Sequence, residues 1–313
     1  MKKRVTLALC ALLFSALCFT GCSGGETGIS LGSTWVESQA KTYEYNLTHT
    51  PDKSICGYGF TLTEGKYTTT LATTTHEGEK RYIYTTVLTV SGAYIKGEER
   101  FPFTDVTTTE TVMRGINSYS LFPEKSTRKI FQHSVYPKED NSGFTIREHD
   151  YEVITDYNYA KKKADVSFYA KNPQTGNYDL PVTGIPETRT YGKLKANSFF
   201  DNDAMTFVFR AFPLEPGFTA SFTTLDTVNA KKVKMFVSAD KEITSRSYKI
   251  NGEDTALDVI KLSARMDAGA SSGKPFILYY APMEGKTERN ILTELTTTLP
   301  YGMGTLTYSL INL

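Results

Sequence analysis

From Lys41 to the C-terminus the chain alternates β-branched or aromatic residues with polar ones, in "KTYEYNLTH", "GFTLTEGKYTTTLATTT", "EKRYIYTTVLTVSGAYIKG", "FTIREHDYEVITDYNY" and "KADVSFYAK". A period of two sends successive side chains to opposite faces of an extended strand, so one face can be buried while the other meets water. The pattern therefore predicts an all-β fold of antiparallel, half-buried strands. Glu64-Gly65 and Ser91-Gly92 fall between such runs and read as hairpin turns, as do "THEGEK" and the lysine-rich "YNYAKKKADV". The Thr triplets at 68–70, 73–75, 107–109 and 296–298 fit solvent-facing strand positions, where Thr favours the extended backbone. No internal repeat of fixed period is present.

With 40% hydrophobic and 12% aromatic residues the chain can bury a sizeable core. Its length suits one large β domain over 41–313, or two sub-domains meeting near 171–198, where Pro and Gly accumulate. One stretch departs from the alternation, "FFDNDAMTFVFRAFPLEPGFTASF". Asp201 or Asp203 can accept backbone N–H bonds at a helix start, Met205, Phe209 and Phe212 fall at helical spacing, and Pro213 ends the run. "TFVFRAF" also alternates as a strand would, but the cap and the stop favour one short helix over 204–212.

The N-terminus, "MKKRVTLALCALLFSALCFTGCSGG", has Lys2, Lys3 and Arg4 before an apolar run from Val5 to Phe19. This is the form of a secretory signal, shorter than the roughly 20 apolar residues of a membrane span. Its end, "FTGC", resembles the lipobox of bacterial lipoproteins, with Phe19 where Leu is commoner. The resemblance implies a signal peptide over 1–21, lipid attachment at Cys22 and an exported protein anchored to the bacterial cell membrane or envelope. Residues 22–40, which include "SGGETGISLGS", then form a flexible tether. Such cleavage removes Cys10 and Cys18 and acylates Cys22, leaving Cys56 as the one free thiol, with no intramolecular disulfide and the character of a buried, inert side chain. Of 35 Lys+Arg, loss of Lys2, Lys3 and Arg4 leaves 32 against 34 Asp+Glu, a balance of −2 that argues against nucleic acid as a partner.

Motifs for chemistry are sparse. His49, His76, His133 and His149 stand singly, without zinc-type spacing. In "REHDYE" a strand would place Glu148, Asp150 and Glu152 on one face, an acidic row that reads as solvated rather than as a cation site. Phosphate-cradling Gly loops are missing, and a glycosidase carboxylate pair is a spatial relation that sequence does not reveal. No metal, cofactor or catalytic residue is expected. The 20 Tyr and 18 Phe can form stacking platforms for sugars or apolar ligands, but their spread along the chain favours filling the faces and rims of a large sheet.

From Phe199 onward, an acidic start, a short helix with Arg210 near its end, "PLEPG", the strand "FTASF" and then "KKVKMFVSADKEI" are followed at the close by "PFILYYAPMEGKTERNILTELTTTLPYGMGTLTYSL". Together these resemble the C-terminal part of the bacterial domain-of-unknown-function family 3108, over 199–313, while 43–119 shares only its rhythm. The resemblance implies an envelope protein with a strongly curved antiparallel sheet, or a partly open barrel or half-barrel, and one short helix packed across it. Met205, Phe209 and Phe212 would then plug one end of the core and are the candidate ligand-lining residues. The functional expectation is a non-catalytic binding or envelope-assembly lipoprotein holding a hydrophobic or glycan-like ligand on the curved sheet. The competing readings are a polysaccharide hydrolase with unlocated carboxylates and a purely structural or adhesive surface protein.

Overall fold

The computed structural model describes residues 41–52, 58–116, 120–138, 143–183, 185, 187–194, 199–201, 204–210, 212, 214–226, 231–267, 275–282, 290–299 and 302–313. Cys22, the tether, Cys56, Asp203 and Pro213 lie outside the described residues.

The alternating segments form β1 (Lys41–Thr50), β2 (Tyr58–His76), β3 (Glu79–Lys96), β4 (Glu99–Ile116), β5 (Ser120–Pro137), β6 (Phe144–Asn158), β7 (Lys163–Lys171), β8 (Tyr178–Pro181) and β9 (Thr188–Gly192). After β10 (Phe199–Phe200) and the helix α1 (Met205–Arg210) come β11 (Thr219–Asp226), β12 (Lys231–Ile250), β13 (Glu253–Asp267), β14 (Phe276–Pro282), β15 (Asn290–Thr298) and β16 (Thr305–Leu310). All sixteen strands belong to one sheet. Fifteen follow the order β10-β11-β12-β13-β14-β15-β16-β1-β2-β3-β4-β5-β6-β7-β8, and β9 pairs with β7. Neighbours are antiparallel except for β10 and β11. The protein is thus an open, curved antiparallel sheet.

Two meanders, β1 to β8 and β11 to β16, make up this sheet, and the pairing of the first long strand with the last joins them, Tyr45 opposite Leu310 and Thr50 opposite Thr305. The segments on either side of 171–198 therefore share one sheet, with β8 and β9 along its border. The free borders are formed by strands of 2 to 5 residues, too short to template pairing with another chain.

Tight hairpins occur where two residues can take the left-handed conformation. Glu77 and Gly78 (φ 51° and 77°) join β2 to β3, and Asn251 and Gly252 (φ 53° and 86°) join β12 to β13. The expected turns at Glu64-Gly65 and Ser91-Gly92 are absent; strands of 19 and 18 residues run through both. Glu64 instead pairs with Ser91 across neighbouring strands, at a bulge after Leu62. The glycines there answer a need for space. A Cβ on Gly65 would sit 2.5 Å from Leu47 Cβ, and one on Gly92 would sit 2.2 Å from the Thr61 carbonyl oxygen. Further bulges between Val112 and Met113, after Ala239, and between Tyr279 and Tyr280 bend the long strands and help to curl the sheet.

Curling puts one side chain of each alternating pair inside. Tyr43, Tyr45, Leu47, Leu71, Tyr84, Met113, Met235, Leu262, Leu278 and Tyr280 are buried there, in one cluster with the helix. A second cluster gathers Ile130, Val153, Tyr157, Val166 and Phe168 from β5 to β7 with Leu194 and with Leu225 of β11, so the two borders of the open sheet pack through side chains instead of a ladder. Lys232 Nζ donates to the Gly192 carbonyl at 2.7 Å across the same gap, and the Tyr157 hydroxyl donates to Asp201.

Candidate functional site

The interior has two ends of different character. At one, α1 is sealed in: Phe207 and Phe209 are fully buried, and Thr206, Val208 and Arg210 nearly so. Phe207 stacks on Tyr84 at 5.1 Å, and Phe209 and Phe212 lie against each other and against Phe222 at 5.7 to 6.1 Å. Polar groups of the helix find partners in the sheet. Tyr280 donates its hydroxyl to the Thr206 carbonyl at 2.9 Å, and the Tyr84 and Thr206 hydroxyls meet at 2.8 Å. A helix ends with carbonyls that have no partner within the helix, and Asn290 Nδ2 serves the last of these, donating to the Arg210 carbonyl (3.0 Å) and also to the Phe212 carbonyl beyond the helix (2.9 Å). Arg210 Nε returns a bond to the Asn290 carbonyl at 2.9 Å, and its guanidinium lies 5.1 Å from the Tyr43 ring centre. Burial pushes the phenols of Tyr45, Tyr67 and Tyr280 well above their ordinary value and raises that of Tyr84, so they stay neutral.

The expected helix is thus present, with bounds Met205–Arg210, and Met205, Phe209 and Phe212 lie together around it, the first half-buried and the other two buried. Their faces meet other side chains of the core. The carboxylate of Asp201 holds Tyr157, and the Asp201 carbonyl accepts from the Ala204 N–H at 3.3 Å.

The other end is open. A recess of about 140 Å³ lies there between Phe60, Leu88, Val90, Tyr94 and Phe103 on one wall and Leu299, Leu306 and Tyr308 on the other, with Asp105, Thr107 and Gln132 at its side. Tyr94 stacks on Phe103 with ring centres 4.5 Å apart, and Phe60 meets both at 5.8 to 5.9 Å. Phe144 on β6 closes the cluster from behind, 4.6 Å from Phe101.

The sheet makes this opening by forking. The β4–β5 ladder runs from Ile116 opposite Ser120 down to Val106 opposite Phe131 and stops, while β3–β4 continues to its turn and β5–β6 continues to Pro137. Side chains take over at the fork. Asp105 Oδ1 accepts the His133 backbone N–H at 2.9 Å and His133 Nδ1–H at 2.8 Å, and the Tyr94 hydroxyl donates to the His133 carbonyl at 3.1 Å. His133 Nε2 lies 3.6 Å from Glu148 Oε2 on β6. Burial raises the Asp105 carboxyl above its ordinary value, against the opposing pull of the His133 bonds.

The acidic row of β6 is compensated residue by residue: Glu148 faces His133, Asp150 holds Lys171 at 3.2 Å and accepts the Tyr178 hydroxyl at 2.8 Å, and Glu152 lies 3.7 Å from Lys129. Among the described residues no group of three or more His, Cys, Asp or Glu is arranged to hold a metal ion. A second depression, lined by Asp240, Glu242, Thr244, Arg246, Lys261 and Tyr279, is polar, and its cations are engaged. Arg246 lies 4.0 Å from the Tyr279 ring centre and 3.0 Å from Glu294, and Lys261 lies 3.3 Å from Asp240.

The recess residues escaped the reading of the sequence, although one signal for them was present. Phe60, Tyr94, Phe103 and Tyr308 occupy inward positions of their strands, but nothing local separates an aromatic residue that caps an opening from one that fills the core. Fold and site together define an all-β protein, a curved sheet plugged by a helix at one end and holding an aromatic recess at the other. No family model, curated protein or solved structure matches the chain.

Proposed function

We propose that this is an exported, lipid-anchored and non-catalytic binding protein, of the kind the family resemblance implies, which holds an apolar or glycan-like ligand group in the recess of the forked sheet. The observation that carries the reading is the recess itself, an opening walled by three mutually packed aromatic rings and five further apolar or aromatic side chains, with polar groups along one side only. Ligand sites commonly combine apolar walls with a few placed polar groups. At about 140 Å³ it is close to the roughly 150 Å³ cavity that accommodates one benzene ring, so it would take a terminal group of a ligand rather than a whole one. The "FTGC" ending supports anchoring through Cys22.

Native mass spectrometry of the mature chain in detergent, after exposure to lipid and glycan extracts of the source cells, tests the binding reading. A stoichiometric adduct that disappears in Leu306→Trp, which fills the recess, is expected; a clean apo mass throughout rejects binding of those classes. Anchoring is read separately. Cys22→Ser is expected to abolish incorporation of labelled palmitate and release the chain from the membrane fraction.

A further inference from the structure

We propose that the recess recognises a small organic ammonium ion, an alkylated nitrogen cation; this rests on the binding reading above and names the chemistry of the ligand. Three features of the open end converge on it.

The first is charge. Among the described side chains lining the recess, Asp105 is the only ionisable acid or base apart from the phenols of Tyr94 and Tyr308. Both hydrogen bonds it accepts fall on Oδ1, so among the described residues Oδ2 is left for a ligand. Behind it, His133 lies between Asp105 and Glu148, and His149 also acts on Asp105; two carboxylates against these two imidazoles leave the cluster net negative while either ring is neutral.

The second is the aromatic wall. Ring faces carry negative quadrupole density, and cations with weakly held hydration shells lose little on moving against them. Tyr94, Phe103 and Phe60 supply these rings beside the carboxylate.

The third is the aliphatic part of the lining. Leu88, Val90, Leu299 and Leu306 offer no hydrogen bonds, which suits methyl or methylene groups on the nitrogen. A metal ion or a bare ammonium would lose water there without replacement, and a sugar ring has more hydroxyls than Asp105, Thr107 and Gln132 can satisfy.

The probe is choline, compared with its neutral carbon isostere 3,3-dimethylbutan-1-ol, titrated by calorimetry into the full mature chain in detergent. Choline is expected to bind at least about tenfold more tightly than the alcohol, and to weaken with added salt while the alcohol does not. Asp105→Asn is expected to bring choline down to the level of the alcohol, and Glu148→Gln, on the exposed side of the cluster, to weaken it about two- to threefold. Equal affinity for the two probes overturns the cation assignment while leaving the binding reading intact. Binding of neither probe also overturns the assignment, and an adduct from cell extract then decides the fate of the binding reading on its own. Because Asp105 also holds the fork together, Asp105→Asn can unfold the chain. Leu306→Trp then serves instead, and choline binding that survives it overturns the proposal. Competition by phosphatidylcholine vesicles would place the cation on a lipid headgroup, and its absence on a free solute.

Discussion

The two ends of the interior are lined by similar residues and used differently. Around α1, Tyr84, Tyr280, Phe207 and Phe209 are buried; the Tyr280 hydroxyl and Asn290 donate to helix carbonyls, the Tyr84 hydroxyl meets that of Thr206, and Arg210 donates to the Asn290 carbonyl. At the fork, Phe60, Tyr94 and Phe103 pack against each other just as closely, yet the β4–β5 ladder has stopped and, among the described residues, no helix fills the space. Aromatic content does not decide which end is closed. What decides it is whether another segment of chain brings its own polar groups already matched to those of the sheet.

The comparison is broken most directly by deleting the plug. Phe207→Ala, at a site that cannot collapse, is expected to lower unfolding stability by about 4 kcal/mol, whereas Leu88→Ala at the open end is expected to lose only about 1 kcal/mol, because water reaches the space it leaves. Urea unfolding of the pair checks both, and equal losses would mean that the two ends are packed alike.

Gly92→Ala tests the bulge that shapes the recess wall. Its methyl would meet a backbone oxygen at 2.2 Å, so a loss of about 3 kcal/mol is expected, the upper end for overpacking. Thermal unfolding measures it, and an unchanged midpoint would show that the β2–β3 pair can shift freely.

Asn290→Ala takes the side-chain donor from the Arg210 carbonyl and leaves the Phe212 carbonyl with the Leu214 N–H, at an expected cost of about 2 kcal/mol. Asn290→Asp should be no better, since a carboxylate cannot donate to them. A tolerant position would place the strength of the plug in its rings alone.

The smallest effect is the pH dependence of the fork. Because the Asp105 carboxyl is raised from 3.8 in the fold, its protonated form is the one the fold favours, and that stability is present below 3.8 and lost as pH rises through the elevated value. Wild type is therefore expected to lose stability relative to Asp105→Asn as pH increases over this range, and parallel melting profiles would contradict the burial of Asp105.

Much of this architecture was legible in the chain. The period-two alternation announced strands because burial on one face leaves a pattern in neighbouring residues, whereas the spacing of Met205, Phe209 and Phe212 pointed to a helix only together with the cap and the stop, since "TFVFRAF" alternates as well. Glu64-Gly65 and Ser91-Gly92 were misread because a glycine chosen for a turn looks the same as one chosen to let Leu47 or the Thr61 carbonyl come close. The fork was invisible. Asp105 and His133 are 28 positions apart and meet only because two long hairpins diverge beneath Val106.

The sequence by itself determined which segments are strands, which one is a helix, and which side chains of each prefer to be buried, all of them properties of neighbouring residues. Tertiary structure alone decided that the last strand pairs with the first, that α1 seals one end, and that the aromatic residues at the other end border an opening. Those outcomes depend on contacts between residues far apart in the chain, whose partners are fixed only when the whole sheet has curled around its core.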